Sequence, residues 1–167
     1  MITLRPVTPA DRPFLLAVYA STRADELALV NWSSDQKTAF VAHQFNAQDT
    51  DYRRRFPQAM FSVVEHEGQP IGRLYTIVLD TELLVLDIAL LPQWRGRHIG
   101  TALLQDVIAT GDELGLPVQL HVERWNAARS LYERLGFSVV GEDDVYLLME
   151  RPVSAELSTD ASASSVS

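Results

Sequence analysis

The run from Leu83 to Thr101, LLVLDIALLPQWRGRHIGT, constrains this chain more than any other stretch. Nine residues carrying a single charge, Asp87, pass through a proline into a loop with two arginines, a histidine and two glycines. An apolar run of that length bounded by turn residues reads as a buried central strand. A helical period follows at once: Ile99, Leu103, Leu104, Val107 and Ile108 share one face, and the helix stops near Gly111 to Gly115. The stretch therefore demands a sheet with a helix packed on it. It also sets a helix N-terminus, with its unpaired N–H groups and positive dipole end, directly after a basic glycine-bearing loop.

The remaining residues supply partners for that strand. Ile2 to Val7 reads as a short strand, and Thr8 as the cap of an apolar-periodic helix running toward Val30. A second helix opens at Ser33, Ser34 or Asp35, with Phe40, Val41, Gln44, Phe45, Gln48 and Tyr52 along one side. From Ala59 the period changes to that of strands, with a hairpin signal at EGQP and a further turn at DTE. After the Leu83 strand and its helix come a strand, PVQLHVE, a helix from Asn126 to Gly136, and a hairpin around Gly141 to Asp144. The expected fold is α/β (α+β), a mixed sheet of about seven strands flanked by about four helices. At 167 residues and 47% hydrophobic content one core is the economical arrangement. The expected domain covers residues 1–151, and 152–167, with little to bury, read as a disordered tail.

Charge and composition exclude several functions. The net charge of -8 repels nucleic acid, so no nucleic-acid partner is expected. Cysteine is absent, which removes thiol nucleophiles and thiolate metal ligands, and four scattered histidines supply no metal site. No apolar run approaches the ~20 residues that span a bilayer, and the N-terminus lacks a secretory pattern, so no membrane partner and a cytoplasmic location are expected. Against this acidic background no carboxylate lies between Asp87 and Asp106, whereas Arg95 and Arg97 are positive. A basic loop at a helix start is the outline of a phosphate site; the alternative is a solvated turn whose glycines serve geometry alone. The loop lacks the Gly-Lys-Ser/Thr ending of a nucleotide-binding P-loop, so an anion would be held without magnesium.

LDIALLPQWRGRHIGTALL together with LHVERWNAARSLYERLGF resembles the paired acetyl-CoA motifs of the GNAT N-acetyltransferase superfamily. The family's pattern is Arg or Gln, two residues, Gly, one residue, then Gly or Ala. Arg95 and Gly100 match its ends, and His98 replaces its internal glycine. Two outcomes are open for this departure: the His98 side chain points away and its N–H still contributes, or the loop is distorted.

The resemblance implies acetyl-CoA as acyl donor. Backbone groups of Ala89, Leu90 and Leu91 would bind the pantetheine arm, one N–H polarising the thioester carbonyl. The N–H groups of Arg95, Gly96, Arg97, His98, Ile99, Gly100 and Thr101 would hold the pyrophosphate. Asn126 would cap its helix and touch the cofactor arm, and Tyr132 would protonate the departing thiolate; the alternative for Tyr132 is a core aromatic packed on Ala128 and Leu135. Asp87 is the first candidate for the base that deprotonates the amine, or else a carboxylate paired with an arginine such as Arg73; Glu123 and Glu26 come next, and His121 is a core, acceptor-site or basic residue. The implied activity is acetyl transfer to a small-molecule primary amine by direct attack in a ternary complex, with a homodimer allowed. The alternatives are a CoA-sensing or protein-interaction module without turnover, and acetylation of protein N-termini or lysines.

Overall fold

The computed structural model describes residues 1–154, which form two compact units. Met1–Tyr75 and Asp87–Ile99 make the first. In it β1 (Ile2–Pro6) pairs antiparallel with β2 (Met60–His66), in a register running from Ile2↔His66 to Pro6↔Ser62. Val7 N–H donates to Phe61 C=O at 2.9 Å, and bonded residues alternate, so the even residues of β1 present their backbone to the outer edge. One of them, Pro6, has no N–H to offer, which blunts that edge.

The expected hairpin forms with a two-residue turn. Glu67 (φ 49°) and Gly68 (φ 81°) both take the left-handed conformation that such a turn needs, and β3 (Gln69–Val78) follows, with Pro70 inside the strand. Thr8 caps a short 3-10 turn, Pro9–Asp11, and not the helix itself: its N–H donates to Asp11 Oδ2 at 2.7 Å. Helix α1 (Arg12–Ala28) then stops short of Val30. Helix α2 (Ser34–Arg55) opens with a reciprocal cap in which Gln36 N–H donates to Ser33 Oγ and Ser33 N–H to Gln36 Oε1. The two helices bury Leu15, Tyr19, Val41 and Phe45 together, with the Tyr19 and Phe45 rings 6.0 Å apart. Truncating a buried ring such as Phe45 typically costs about 3–5 kcal/mol.

The second unit contains Thr76–Leu86 and, among the described residues, those from Gly100 to Ser154. The start of β4 (Leu83–Leu90) runs parallel to β5 (Val118–Glu123), Leu83 opposite Val118 and Val85 opposite Leu120. A parallel pair needs a crossover, and α3 (Ile99–Leu114) supplies it, burying Leu103, Leu104, Val107 and Ile108 as its spacing requires. β5 also pairs antiparallel with β7 (Tyr146–Arg151), which pairs with β6 (Ser138–Glu142); a register slip between Val139 and Gly141 bulges the latter. In the chain α4 (Arg129–Arg134) lies between β5 and β6. Among the described residues the strands form one mixed seven-stranded sheet, ordered β1-β2-β3-β4-β5-β7-β6, with four α-helices, the α/β class read from the sequence.

Of the tail expected over 152–167, residues 155–167 lie outside the described residues. Pro152 to Ser154 are placed: Val153 is buried, and Ser154 N–H donates to Asp112 Oδ1 at 2.9 Å. No helix among the described residues is long and apolar enough to cross a membrane.

Candidate functional site

The long apolar strand is not buried along its whole length. Leu83, Leu84 and Val85 are buried, whereas Leu86 to Leu91 are only half-buried, which corrects the reading of β4 as a strand covered throughout. Apolar content marks what a strand can bury and does not say whether protein or a ligand covers it. At its end, Leu91 N–H donates to Ile71 C=O at 2.9 Å, and Leu90 C=O accepts from Arg95 Nε at 3.0 Å. Two of the backbone groups expected to meet a pantetheine arm therefore already have protein partners. Neighbouring residues of a strand direct their N–H groups to opposite edges, so the Leu90 N–H points away from that of Leu91. Close approach of β3 and β4 here depends on Gly72, where a Cβ would lie 2.3 Å from Ala89 O.

Past β4, Pro92–Trp94 forms a 3-10 turn in which Arg95 N–H donates to Pro92 C=O at 3.2 Å, so this first N–H of the expected pyrophosphate cradle is engaged. Gly96 (φ 73°) and His98 (φ 63°) are both left-handed. His98 thus takes a backbone conformation that glycine adopts without strain, and it is exposed. Left-handed residues in a short loop bring successive N–H groups into the concave arrays that bind anions.

The arginines do different work. Arg95 folds back, its Nη2 donating to Ser21 Oγ on α1 at 3.1 Å, and braces the loop against α1 and Leu90. Arg97 stacks its guanidinium 4.8 Å from the Trp94 ring, which lies 4.9 Å from His66. Nothing in the sequence marks this brace. α3 begins at Ile99, which is buried. Among the described residues, its chain neighbours and its own helix backbone aside, no atom lies within 4 Å of where a Cβ of residue 100 would be, and φ is not left-handed, so neither packing nor backbone geometry requires glycine there.

Asp87 is paired with Arg73, the arginine named from the sequence. Its Oδ2 accepts from Arg73 Nη2 at 2.8 Å, and its Oδ1 from Arg73 Nε at 3.2 Å. Gln48 Oε1 accepts from Arg73 Nη2 at 2.9 Å, and Tyr52 O–H donates to Asp87 Oδ2 at 3.2 Å. Burial first, then the Asp87 charge, push the Tyr52 hydroxyl well above the ordinary phenol range, so it stays protonated. Arg73 is 2% exposed; burial opposes its charge, yet the Asp87 carboxylate leads the contacts that hold its pKa above the ordinary guanidinium value. Tyr75, whose ring lies 5.1 Å from that guanidinium, has a buried hydroxyl with no hydrogen-bond partner among the described residues, and burial raises its pKa. Gln48 and Tyr52, from one side of α2, are both tied into this pair. Glu26 is paired with Arg23 at 3.1 Å, Trp32 packs edge-on against Phe40 at 5.2 Å, and His121 is exposed.

Gly100, Thr101, Asn126 and Tyr132 belong to the second unit. Asn126 starts a turn one step earlier than a helix cap. Its Oδ1 accepts from Ala128 N–H at 2.8 Å, whereas α4 is preceded by Ala128 and begins at Arg129. The side chain satisfies the turn's own donor, a common alternative for asparagine, and the helix expected from residue 126 is shortened accordingly. Tyr132 is 9% exposed and anchors the end of α4. Phe137 N–H donates to Tyr132 C=O at 3.0 Å and Gly136 N–H to Glu133 C=O at 3.1 Å, with Gly136 at φ 97° and the Tyr132 and Phe137 rings 6.0 Å apart. These are the two hydrogen bonds and the hydrophobic contact of a Schellman cap. The LYERLGF pattern therefore has a folding reason whatever its chemistry.

Among the described residues no group of three or more histidines or carboxylates could hold a metal ion. A family model described as "Acetyltransferase (GNAT) family" matches residues 26–137. Mycothiol acetyltransferase of Nocardiopsis dassonvillei is 34% identical over 82 residues, 48% of this chain and 22% of that protein. The Propionibacterium freudenreichii protein of the same name is 35% identical over 86 residues, 50% of this chain and 24% of that protein. The matches thus span less than a quarter of the length of these relatives. Among solved structures, the PaiA N-acetyltransferase of Thermoplasma acidophilum in complex with coenzyme A superimposes with a TM-score of 0.69 at 19% identity, covering 91% of this chain and 99% of that one. The ribosomal-protein-S18-alanine N-acetyltransferase of Escherichia coli gives 0.59 at 23%, covering 92% and 95%. At these identities the structural likeness shows the fold.

Proposed function

Since the chain belongs to the GNAT acetyltransferase family, we propose that it transfers an acetyl group from acetyl-CoA to the primary amine of a small molecule. The observation that carries this reading is Gly100. Glycine inside a helix lowers its stability by up to about 1 kcal/mol relative to alanine, and the described residues around Gly100 use neither its φ freedom nor its lack of a side chain. A ligand reaching the backbone there gives it a purpose. The left-handed Gly96 and His98, the α3 N-terminus and the half-buried end of β4 fit the same ligand.

In this reading the N–H groups from Gly96 to Thr101 receive the pyrophosphate, because the first N–H groups of a helix lack partners within it. Ala89 and Leu90 line the arm. Acetyl-CoA supplies the activated acyl group, and the amine attacks its carbonyl directly while a Tyr132 proton goes to the departing thiolate. Asp87, held by Arg73 through both oxygens, is a positioning residue: it fixes β4 against α2 through Gln48 and Tyr52. The base is then water or Glu123. With Asp87 committed to Arg73, a CoA-binding module without turnover is the second reading.

One experiment separates the two. The chain is incubated with acetyl-CoA and a panel of polyamines, amino sugars, amino acids and peptides, followed by free thiol release and product mass. Acetylated amine with stoichiometric thiol is expected. Saturable CoA binding with no product from any amine would favour the silent module.

A further inference from the structure

A groove beside α2, in the first unit and apart from the loop described above, carries a separate function. We infer that it binds a small carboxylate with an apolar body. This inference does not rest on acetyl transfer.

Two adjoining cavities form the groove. One of about 250 Å³ is walled by Val7, Pro9, Leu15 and Phe45, and one of about 350 Å³ by Leu4, Pro6, Met60 and Phe61; Val7 and Arg53 line both. Such volumes suit a small ligand. The walls are largely apolar; Arg12 and Asp49 line the first cavity, Arg53 both, and Arg5, which is paired with Asp11 and Glu65, the second. Arg12 and Arg53 flank a single carboxylate, Asp49, at 3.5 and 3.2 Å, which leaves one net positive charge in a chain of net charge -8. The arginine side chains are 53% and 48% exposed, and Asp49 only 14%.

Each guanidinium lies over a ring, Arg12 5.2 Å from Phe45 and Arg53 4.7 Å from Phe61. Stacking covers a face and leaves the edges, where the N–H donors are, to meet a ligand. Arg12 uses its terminal nitrogens on Asn46 and Asp49, but Arg53 engages Asp49 through Nε alone. Among the described residues no acceptor bonds either of its terminal nitrogens. A planar fork with free donors beside apolar walls matches a carboxylate attached to a hydrocarbon chain or ring. Free phosphate would leave the walls unused, and an added peptide strand is opposed by Pro6 on the β1 edge.

The test is an NMR titration of the full ¹⁵N-labelled chain with hexanoate, hexanamide and inorganic phosphate. Hexanoate is expected to give saturable shifts confined to residues 4–12, 45–53 and 59–62. Hexanamide and phosphate should bind at least about tenfold more weakly, a difference of about 1.4 kcal/mol. Arg53→Gln, whose melting curve should match the parent, should weaken hexanoate by a similar factor, and Arg12→Gln by less. Equal affinity for hexanamide makes the groove merely apolar, and equal affinity for phosphate makes it merely basic; either overturns the inference. So does an unchanged affinity in Arg53→Gln, or the absence of saturable shifts with hexanoate. Acetyl-CoA titrated into Arg53→Gln should bind as in the parent, so failure here leaves the acetyl-transfer reading intact.

Discussion

Replacing Asp87 with asparagine keeps the shape of the side chain and removes the charge facing Arg73. The partners' side chains are 3% (Arg73) and 13% (Asp87) exposed, and their shortest contact is 2.8 Å. Removing one member of such a pair leaves an uncompensated buried charge and costs about 3–5 kcal/mol. Asparagine still offers an acceptor to Arg73, and Gln48 keeps its own bond to Nη2, so the lower end, about 3 kcal/mol, applies. In a chain of this size each kcal/mol moves the melting midpoint by about 2–4 °C, which gives a fall of about 6–12 °C by calorimetry. The double variant Asp87→Leu with Arg73→Met removes both charges and should recover part of that loss. Below its melting point Asp87→Asn should keep the shape of the parent's kcat/KM pH profile, since a positioning residue exchanges no proton with the acceptor. An unchanged midpoint, with turnover and one limb of the pH profile lost, would refute this reasoning and make Asp87 the base.

Further outcomes are expected elsewhere. His98→Val forces a β-branched residue to φ 63° and should cost about 1–2 kcal/mol in a denaturant titration, whereas His98→Gly should be near neutral and bind acetyl-CoA at least as well as the parent. Tyr132→Phe removes only a hydroxyl and preserves the Schellman cap, so kcat should fall with CoA affinity and midpoint nearly unchanged; unaltered kcat would remove the acid role. Gly136→Ala places a Cβ 3.1 Å from Arg151 Nε at φ 97° and should destabilise by more than about 1 kcal/mol. Asp11 is held well below the usual carboxylate range, chiefly by hydrogen bonds from Arg5. Its folded pKa is depressed, so its contribution is fully present above about pH 4 and fades as pH falls toward the folded value. Asp11→Asn should therefore flatten the acid limb of a stability profile and reduce stability at neutral pH.

The readable parts of this chain were those where local pattern and tertiary role coincide. The strand from Leu83, the periodic face of α3 and a cap among Ser33, Ser34 and Asp35 follow from spacing and side-chain chemistry alone, and the structure has each of them, with Ser33 as the cap. Asp87 was conspicuous as a charge inside an apolar run, but its partner lies fourteen residues away on β3, so periodicity alone could only offer two roles. Tyr75 and the Arg95 brace gave no signal, because an aromatic in a strand and an arginine in a loop are ordinary until three elements converge on them. The half-buried end of β4 was illegible for the opposite reason: residue type records what prefers to be covered and not what covers it. The helix start read at Asn126 lies two residues later, at Ala128, because asparagine satisfies a turn and a helix start with the same side-chain oxygen.

The central claim is that the loop and the α3 N-terminus receive a CoA pyrophosphate, and Gly100→Leu tests it most directly. Among the described residues, its chain neighbours and its own helix backbone aside, no atom lies within 4 Å of where a Cβ would be at that position, so the variant should fold with a midpoint equal to or above that of the parent. In isothermal titration the parent should bind acetyl-CoA saturably at one site, and Gly100→Leu should lose at least about tenfold in affinity. Equal affinity of the two, or no binding heat from the parent at millimolar acetyl-CoA, would contradict the account.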